Sequence, residues 1–508
     1  MRYLVTGKEM KLLDQNTSNC FKVPELVLME QAAMHFVWKL CDILEDYKNK
    51  RGIVFCGLGN NGADGIAIAR LLNERGIHTD ICKINDLLSE KGAVSESFSV
   101  QESIYHAYNY PVINNMEQAT HTNYDFVIDA VFGIGLSRTL NEEYNAVFVK
   151  INECKGTKIA VDMPSGINSD NGQIMGNAIQ CDYTITFSFE KVGQYLWPGC
   201  DYAGKILVVD MGITEKSWME KKPVMAYLEK EDLIQLPKRE AHSNKGTYGK
   251  VLIIAGSTNM AGAAVFAAKA AYRCGTGLVK VFTSETNRTI IQTTIPEALI
   301  STYGEKLNKE LLSEDLKWAD AIVIGPGIGQ SKISREIVEF VHSAASVPVV
   351  WDADALNILS EKPNDLLLPH TEYIMTPHLG EFARLTTQTV SWIQNHFVES
   401  AVEFARTYDV ICVLKDFHTI TANPYGLSYL NLTGNNGMAT GGSGDVLAGM
   451  IGAFLAQRMK GYEAAAFAVY IHGLAGDFAV TNAGTHGMIA SDILEALKDV
   501  WKGIDYAE

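Results

Sequence analysis

Short, fully apolar runs alternate with helical segments along this sequence, and several of the runs end at a Gly-rich turn or an aspartate. Uninterrupted apolar runs of this length are typical of strands buried on both faces of a parallel sheet. The sequence therefore predicts an α/β fold. Ligands bind such folds beyond the carboxyl ends of the strands, so we looked for a site there. The runs are 53–56, 125–130, 158–162, 183–187, 205–210, 251–255, 278–282, 321–324, 347–351, 373–375 and 410–414.

The runs form two series, separated by the polar stretch 214–222 and Pro223. The motifs of the two series differ, and no fixed-period repeat connects them. We therefore expect two domains, with a Rossmann-like, doubly wound sheet in residues 1–215, a linker at 216–235 and a second α/β domain in residues 236–508.

Composition limits the classes of partner. The chain has 508 residues, a formal net charge of −16 and no long basic run, which disfavours a nucleic-acid binder. The first residues lack an apolar signal region, and no transmembrane segment is expected. None of the nine cysteines forms a C-x-x-C pair, which indicates reduced thiols and a cytoplasmic protein.

The first Gly-rich turn is Gly57-x-Gly59-x-x-Gly62, after the first apolar run. Glycines at this spacing let the backbone approach a phosphate at the start of a helix, although a sharp turn without a ligand is the alternative. Asp129 and Asp162 follow later runs in the same half. A carboxylate at a strand end acts as a base, binds a hard cation or caps the next turn.

Three motifs of this half resemble the NAD(P)H-hydrate epimerases: GLGNNGADG at 57–65, DAVFGIG at 129–135 and DMPSG at 162–166. The family usually has glycine where this chain has Ala63. The resemblance implies a potassium ion held by Asn61, Asp129 and Ser165, with Asp129 as the base or the residue that orients it. It implies that the hydrated dinucleotide contacts Asn60, Asn61, Gly62, Ala63, Asp64, Gly133, Ile134, Gly135, Leu136, Ser137, Arg138, Thr139 and Asp162.

A second Gly-rich segment runs from Asn435 to Asp445 and carries four glycines in eight residues just before a helix. Such a segment cannot be the interior of a helix or strand, and its N–H groups form an anion-binding nest. Asp445 then stands beside the nest, where a carboxylate takes a proton from a substrate hydroxyl. An ordinary helix start with a dipole-matching aspartate is the alternative.

This segment resembles the anion hole of the ribokinase-like superfamily. The stretches KVLIIAGS at 250–257, GPGIG at 325–329, DADAL at 352–356 and TPHLGE at 376–381 resemble its ADP- or ATP-dependent NAD(P)H-hydrate dehydratases. The resemblance implies Asp445 as the catalytic base, and Ala261, Gly327, His378 and Asp445 near the dinucleotide. It implies adenine-nucleotide binding by Lys415, Asp416, Phe417, His418, Thr419, Asn435, Asn436, Gly437, Met438, Ala439, Thr440, Gly441, Gly442, Ser443 and Gly444, although Asp416 replaces the usual glycine.

Both modules in one chain resemble the bifunctional NAD(P)H-hydrate repair enzymes. The resemblance implies that one domain epimerises the R and S forms of hydrated NADH and NADPH. The other would dehydrate the S form at the expense of ADP or ATP. We expect K⁺ in the first site, Mg²⁺ with the nucleotide in the second, and a homo-oligomer. Two alternatives stay open: a small-alcohol kinase with an accessory domain, and a binding scaffold that senses nucleotide.

Overall fold

The computed structural model describes residues 1–88, 93–362 and 371–505. The chain divides into two compact units, Tyr3–Met225 and Ala226–Glu508, and the latter also includes Met1–Arg2. We call them the first and the second unit. Strand β10 (Met225–Tyr227) lies where the two meet in the sequence.

The first unit contains a parallel sheet of seven strands in the order β4-β3-β2-β5-β6-β7-β9. The order reverses between β2 and β5, so the loops after these two strands leave the sheet in opposite directions and open a crevice. The shorter strands β1 and β8 pair with each other, with Val5 opposite Lys191. The strands are β1 (Arg2–Val5), β2 (Arg51–Cys56), β3 (His78–Lys83), β4 (Val112–Ile113), β5 (Phe126–Ala130), β6 (Thr157–Val161), β7 (Tyr183–Phe187), β8 (Glu190–Lys191) and β9 (Lys205–Val209).

Helices cover this sheet, and four of them, α1, α4, α5 and α6, begin after a residue whose side chain accepts a hydrogen bond from a free N–H group. Thr6 and Glu9 form a capping box at the start of α1, and Asn141 accepts a hydrogen bond from the Tyr144 N–H at the start of α6. The helices are α1 (Gly7–Asn19), α2 (Glu25–Ile43), α3 (Asn60–Glu74), α4 (Glu96–Ala107), α5 (Met116–His121), α6 (Glu142–Glu153) and α7 (Gly199–Ala203).

Helix α3 begins inside the first Gly-rich motif, at Asn60, with Gly59 as its N-cap. The glycines at positions 62 and 65 are therefore part of the helix, and they allow it to pack closely against neighbouring backbone and side chains. A Cβ on Gly62 would stand 1.9 Å from the carbonyl oxygen of Gly57, and one on Gly65 would stand 2.4 Å from the Cβ of Ala130.

The second unit has a sheet whose first seven strands, β13-β12-β11-β14-β15-β16-β17, are parallel, followed by antiparallel β18 and β19. The order again reverses, here between β11 and β14. The predicted mixed α/β architecture with parallel sheets is confirmed. The strands are β11 (Lys250–Ile254), β12 (Leu278–Ser284), β13 (Leu299–Tyr303), β14 (Ala321–Ile324), β15 (Val349–Trp351), β16 (Tyr373–Met375), β17 (Ile411–Leu414), β18 (Ile420–Ala422) and β19 (Ser428–Leu430).

The largest apolar cluster of the second unit is formed mainly by this sheet and the helices α8, α16, α17 and α18. Small residues on α8 and α16 let the helices approach closely: a Cβ on Gly449 would stand 2.1 Å from the carbonyl oxygen of Ala267. The helices are α8 (Ala261–Arg273), α9 (Arg288–Thr294), α10 (Lys309–Trp318), α11 (Lys332–Ala344), α12 (Asp354–Leu359), α13 (Leu379–Thr386), α14 (Val390–Asn395), α15 (Phe397–Tyr408), α16 (Ser443–Ala456), α17 (Gly461–Gly487) and α18 (Ala490–Asp505).

Helix α17 is long and apolar enough to cross a membrane by length and composition, the one such helix in the described residues. Its most apolar window has a mean hydropathy of 1.3, and 72% of that window is buried inside the protein. Burial of this extent is the pattern of a core helix. The nine cysteines are free thiols, and six of them are buried.

Candidate active sites

The first unit contains a cavity of 460 Å³ at the carboxyl ends of its strands. Its walls come mainly from the loops after β2 and β5, at the point where the strand order reverses. Residues from β6, β7 and the N-terminal helix α1 complete it. The lining residues used below are Met10, Asp14, Gly59, Asn60, Asn61, Asp64, Gly133, Ile134, Gly135, Leu136, Ser137, Arg138 and Asp162.

Asp129 lies just behind this wall, at the end of β5, and Ser165 binds both of its carboxylate oxygens. The Ser165 hydroxyl donates to Oδ1 at 2.5 Å, and the Ser165 N–H donates to Oδ2 at 2.7 Å. The Val131 N–H also donates to Oδ1 at 3.2 Å. Burial raises the pKa of the Asp129 carboxyl to about 6, although these hydrogen bonds oppose the rise.

Asn61 lies close to the same loop, because a Cβ on Gly133 would stand 3.0 Å from its side-chain oxygen. The Asn61 amide nitrogen is buried and has no hydrogen-bond partner among the described residues. The Phe132 carbonyl oxygen lies 3.2 Å from the Ser165 hydroxyl. Oxygen atoms of Asn61, Asp129, Ser165 and Phe132 thus surround one edge of the cavity.

Asp162 forms the opposite polar wall, and its conformation is unusual because its φ of 67° lies in the left-handed region. Its Oδ1 accepts hydrogen bonds from the Thr186 hydroxyl and the Phe187 N–H, each at 3.0 Å, and from the Lys191 ammonium group. The Lys191 side chain is fully buried. A buried ammonium needs a counter-charge, and the Asp162 carboxylate supplies it.

The sequence analysis missed Asp14 and Lys191. Asp14 lies on α1 and lines the cavity. Burial and then the nearby Asp162 raise its pKa to about 7, against the opposing effect of Lys191. A signal existed in the sequence, because Asp14 shares one helix face with the buried residues Met10, Leu13 and Thr17. A carboxylate within such an apolar face is a candidate for a site.

Some residues of the predicted dinucleotide site do not line the cavity. Gly62 and Ala63 are buried in the first turns of α3, and Thr139 is exposed beyond the end of the loop. The Ala63 methyl group packs into the apolar core between α3 and the sheet. Alanine in place of the family's usual glycine therefore removes no space from the cavity.

In the second unit, the Gly-rich segment ends at the N-terminus of α16. Gly442 is the N-cap with a φ of 96°, and a Cβ there would stand 2.8 Å from the Phe266 ring, so only glycine fits. Asp445 lies in the first turn of the helix. Burial and the neighbouring Asp352 raise the pKa of Asp445 to about 7, although Lys415 opposes the rise.

Lys415 and Asp352 form an ion pair next to Asp445. The Lys415 ammonium lies 3.0 Å from Asp352 Oδ1, and the Thr376 hydroxyl donates to the same oxygen at 2.7 Å. A Cβ on Gly444 would stand 3.4 Å from the Lys415 ammonium. Burial lowers the pKa of Lys415, but Asp352 and Glu381 outweigh burial and the net shift is upward. The lysine therefore stays charged beside the nest.

His378 has a structural role as the N-cap of α13. Its Nδ1 accepts hydrogen bonds from the N–H groups of Gly380 at 3.0 Å and Glu381 at 3.3 Å. The Glu381 carboxylate accepts from the His378 N–H at 2.9 Å. Burial and Lys415 lower the pKa of the imidazole, which matches its role as an acceptor at Nδ1. Its Nε2 lies 3.3 Å from the Glu381 carboxylate, and about half of the side chain stays exposed.

Ala261 and Gly327 lie where the strand order of the second unit reverses. Ala261 begins α8, and a Cβ on Gly327 would stand 2.9 Å from the Cβ of Ala263. The loops after β11 and β14 are joined by a 2.6 Å hydrogen bond from the Ser257 N–H to the Gly327 carbonyl. The two predicted residues therefore share one crevice, at the position where doubly wound sheets bind ligands.

The predicted nucleotide-binding residues form two segments. Residues 415–419, including the exposed Asp416 and Phe417, connect β17 to β18. Asp416 has no left-handed φ, so the backbone does not require the family's usual glycine there. Asn435 begins the second segment and is held by Asp477 at 3.0 Å, while its own Oδ1 accepts from the Gly437 N–H. Residues 436–438 form a short 3-10 helix before the nest.

Two family models match the chain, one in each unit. The model described as "YjeF-related protein N-terminus" matches residues 25–193. The model described as "NAD(P)H-hydrate dehydratase" matches residues 251–499.

Curated relatives match over nearly the whole chain. A "Bifunctional NAD(P)H-hydrate repair enzyme Nnr" from Moorella thermoacetica is 34% identical and covers 99% of this chain and 97% of its own length. One of the same name from Escherichia coli K12 is 33% identical and covers 88% and 84%. A solved ribokinase-like superfamily protein from Enterococcus faecalis is 29% identical, with a TM-score of 0.50, and covers 55% of this chain and 96% of its own.

Proposed function

Because this chain belongs to the family of bifunctional NAD(P)H-hydrate repair enzymes, we propose that its two units carry out the two reactions of that family from separate sites. The protein is an NAD(P)H-hydrate epimerase and an NAD(P)H-hydrate dehydratase. It restores hydrated NADH and NADPH by interconverting the R and S forms and by dehydrating the S form with ADP or ATP. We assign epimerisation to residues 1–215, dehydration to residues 236–508 and the linker to residues 216–235.

The position of Asp445 carries the assignment of the dehydratase site. N–H groups of the nest at the start of α16 favour the phosphates of the nucleotide, and Lys415 adds a positive charge beside them. Asp445 would take the proton from the substrate hydroxyl, and the oxygen of that hydroxyl would receive the terminal phosphoryl group of ADP or ATP. Phosphate then leaves as the ring nitrogen donates its electron pair. A carboxyl with a pKa of about 7 is suited to this transfer near neutral pH.

We assign the other predicted residues of the second unit to binding of the dinucleotide and of ADP or ATP. We propose that Ala261, Gly327 and the half-exposed side chain of His378 contact the dinucleotide. Residues 415–419 and 435–444 would hold the nucleotide. Mg²⁺ takes most of its ligands from phosphate oxygens and water in such sites, so we propose that it enters with ADP or ATP. Bound in this way, it would neutralise charge on the phosphates.

For the first unit we propose that the cavity receives the hydrated dinucleotide. Oxygens of Asn61, Asp129, Ser165 and the Phe132 carbonyl are hard ligands with one formal negative charge, which suits an alkali cation. The buried Asn61 amide nitrogen has no partner among the described residues, so no hydrogen bond from it opposes a rotation that brings the amide oxygen toward a cation. Bound K⁺ would attract an oxygen of the substrate, while the residues 133–138 hold the dinucleotide in place.

One assay tests the function as a whole. Purified protein is given a mixture of R and S hydrated NADH, with ADP, with ATP or without nucleotide, and the return of NADH absorbance is followed together with inorganic phosphate. We expect complete conversion to NADH with one phosphate per molecule restored, and interconversion of the two forms without nucleotide. A stable phosphorylated product with no NADH would instead favour a small-alcohol kinase, and binding without turnover would favour a nucleotide sensor.

We further propose that the protein acts in the cytoplasm as a homo-oligomer. The nine free thiols support a reducing compartment. Light scattering at several protein concentrations measures the assembly state, and a constant monomer mass would contradict the second part of this proposal.

A further inference from the structure

Helix α1 brings the carboxylate of Asp14 into the cavity of the first unit. Hydrogen bonds to other segments hold the helix on either side of this residue. The Gly7 N–H donates to Asp170 Oδ1 at 2.6 Å, and the Asn16 amide donates to the Ser217 carbonyl at 2.9 Å. Asp14 lies between these anchors and lines the cavity together with Met10, one turn earlier. Its carboxylate has no hydrogen-bond partner in the described part of the chain, so it is available to a substrate.

The other carboxylates around the cavity are less available for proton transfer. Both oxygens of Asp129 already accept hydrogen bonds, and its side chain is not part of the lining. Asp162 is paired with the buried Lys191. Burial and the charges of Asp162 and Asp14 raise the pKa of Asp64 well above its ordinary value, which favours its protonated form.

Four titratable groups face Asp14 from the elements packed around it: Asp162, Lys191, Glu25 on α2 and the protonated Asp64 on α3. Lys191 is neutralised by Asp162, so the balance of charge near Asp14 is negative. A carboxyl in this setting takes up and releases a proton near neutral pH, which an isomerase needs because the same group must act in both directions.

We propose that Asp14 is the proton-transfer residue of the epimerase, which rests on the function proposed above for this unit. Asp14 takes the proton from the hydroxyl on carbon 6 of the hydrated ring. The oxygen electron pair forms the C=O bond, the C6–N1 bond breaks, and its electron pair stays on N1, delocalised through the ring double bond into the carboxamide. After rotation about C5–C6, N1 attacks the other face of the carbonyl and Asp14 returns the proton to the oxygen.

This step is balanced, because no atom is gained or lost and the proton ends on the oxygen from which it came. It requires no oxidant and no co-reactant. It also predicts that epimerisation proceeds without nucleotide, so the reaction of the first unit can be measured while the dehydratase is idle.

The test compares the full-length Asp14→Asn protein with wild type, starting from one purified form of hydrated NADH without ADP or ATP. The rate of interconversion is followed by chromatography, after subtraction of the spontaneous rate. We expect kcat for epimerisation to fall by about a hundredfold or more, the usual scale for a positioned acid or base. Wild-type activity should rise with pH through about 7, because the reaction starts from ionised Asp14, and the variant should lose this dependence.

Three further measurements separate this role from a structural one. Asp14→Glu should recover part of the rate, since it restores the carboxyl group. Asp42→Asn, the same substitution at an exposed position on α2, should behave as wild type. Dehydration of the S form should be unchanged in Asp14→Asn, and its unfolding temperature should be no lower than that of wild type, because the substitution removes a buried carboxyl with a raised pKa.

The outcomes are distinguishable. A wild-type protein that does not epimerise would overturn the function proposed for this unit and the role of Asp14 with it. Active wild type together with an Asp14→Asn variant within threefold of its rate, or one that keeps the rise with pH, would overturn only the assignment of Asp14. An Asp14→Glu protein that is folded but as inactive as Asp14→Asn would also contradict it.

Discussion

The hydrogen bonds and packing around single residues decide whether these residues can contact a ligand. His378 was a candidate for contact with the dinucleotide, and the structure also makes it the cap of α13, with Nδ1 occupied by two N–H groups. Its Nε2 lies 3.3 Å from the Glu381 carboxylate, so each ring nitrogen already has a protein partner. Ala63 and Asp416 depart from the family pattern, yet Ala63 lies in the core and Asp416 has an ordinary backbone conformation.

At Asp445 we predict that substitution by asparagine separates binding from chemistry. The nest keeps its N–H groups, so ADP and ATP should bind as tightly as in wild type or slightly more tightly. Dehydration should fall by roughly a hundredfold or more because the base is lost. Wild-type dehydration should rise with pH through about 7, and epimerisation should be unaffected. Calorimetric titration and the two activity assays check this, and unchanged dehydration would exclude Asp445 as the base.

The same variant tests the pKa of Asp445 through stability. A folded-state pKa raised from 3.8 to about 7 means that the folded protein holds a proton which the unfolded chain releases. The stabilisation is therefore present below pH 4 and is lost as pH rises through 7. Asp445→Asn should be more stable than wild type by roughly 2–4 kcal/mol at pH 8, and the gain should shrink at pH 5. Denaturant unfolding at both pH values measures it.

At Asp129 we predict that alanine abolishes epimerisation and spares dehydration of the S form. The change removes a proposed cation ligand and leaves the hydroxyl and N–H of Ser165 without their acceptor. A stability loss of about 1–3 kcal/mol should accompany it. Epimerisation by wild type should respond to replacing K⁺ with Li⁺, and the variant should not. Normal epimerisation by Asp129→Ala would remove this residue from the mechanism.

At the scale of elements, the start of α3 depends on close packing between the helix and the strand before it. Gly57 and Gly62 touch through backbone atoms, and Gly57 also lies against the loop after β5, where a Cβ would stand 2.2 Å from the Val131 carbonyl oxygen. The first turn of the helix and the two loops that line the cavity are thus fixed together. The position of Asn60 and Asn61 follows from this packing.

We predict that Gly62→Ala destabilises the first unit, because its Cβ would stand 1.9 Å from a backbone oxygen. The helix must move away from the strand, at a cost of roughly 2–4 kcal/mol. Gly59→Ala is the matched control, since nothing lies within 4 Å of its Cβ and its φ of −87° suits alanine. Thermal unfolding distinguishes the two. Equal melting temperatures of the variants would contradict the packing argument.

At the scale of the molecule, the chain contains two doubly wound sheets, each with its own reversal of strand order and its own polar residues beyond the strand ends. The cavity of the first unit is built from residues 10–211, and the Asp445 site from residues after 250. Each site is therefore complete within one unit.

We predict that the two activities survive separation of the units. A protease site inserted between the exposed residues Glu220 and Lys221 allows cleavage after folding. The N-terminal fragment should epimerise without dehydrating, and the C-terminal fragment should dehydrate only the S form, because each site is contained within its own unit. Activity assays on the separated fragments check this. A C-terminal fragment that consumes both forms at equal catalysed rates would contradict the division.

The two α/β halves, the strand ends that carry the sites and most of the candidate residues can be predicted from the amino-acid sequence. Apolar runs and glycine spacing are local features, because a buried strand or a tight helix start restricts the residue types that can form it. The roles of Asp14 and Lys191 in the first cavity, and the pairing of Asp352 with Lys415 beside Asp445, are visible only in the folded structure. These contacts join residues far apart in the chain. The burial of these side chains and the resulting shifts of their pKa values arise only when the packed elements exclude water from around them.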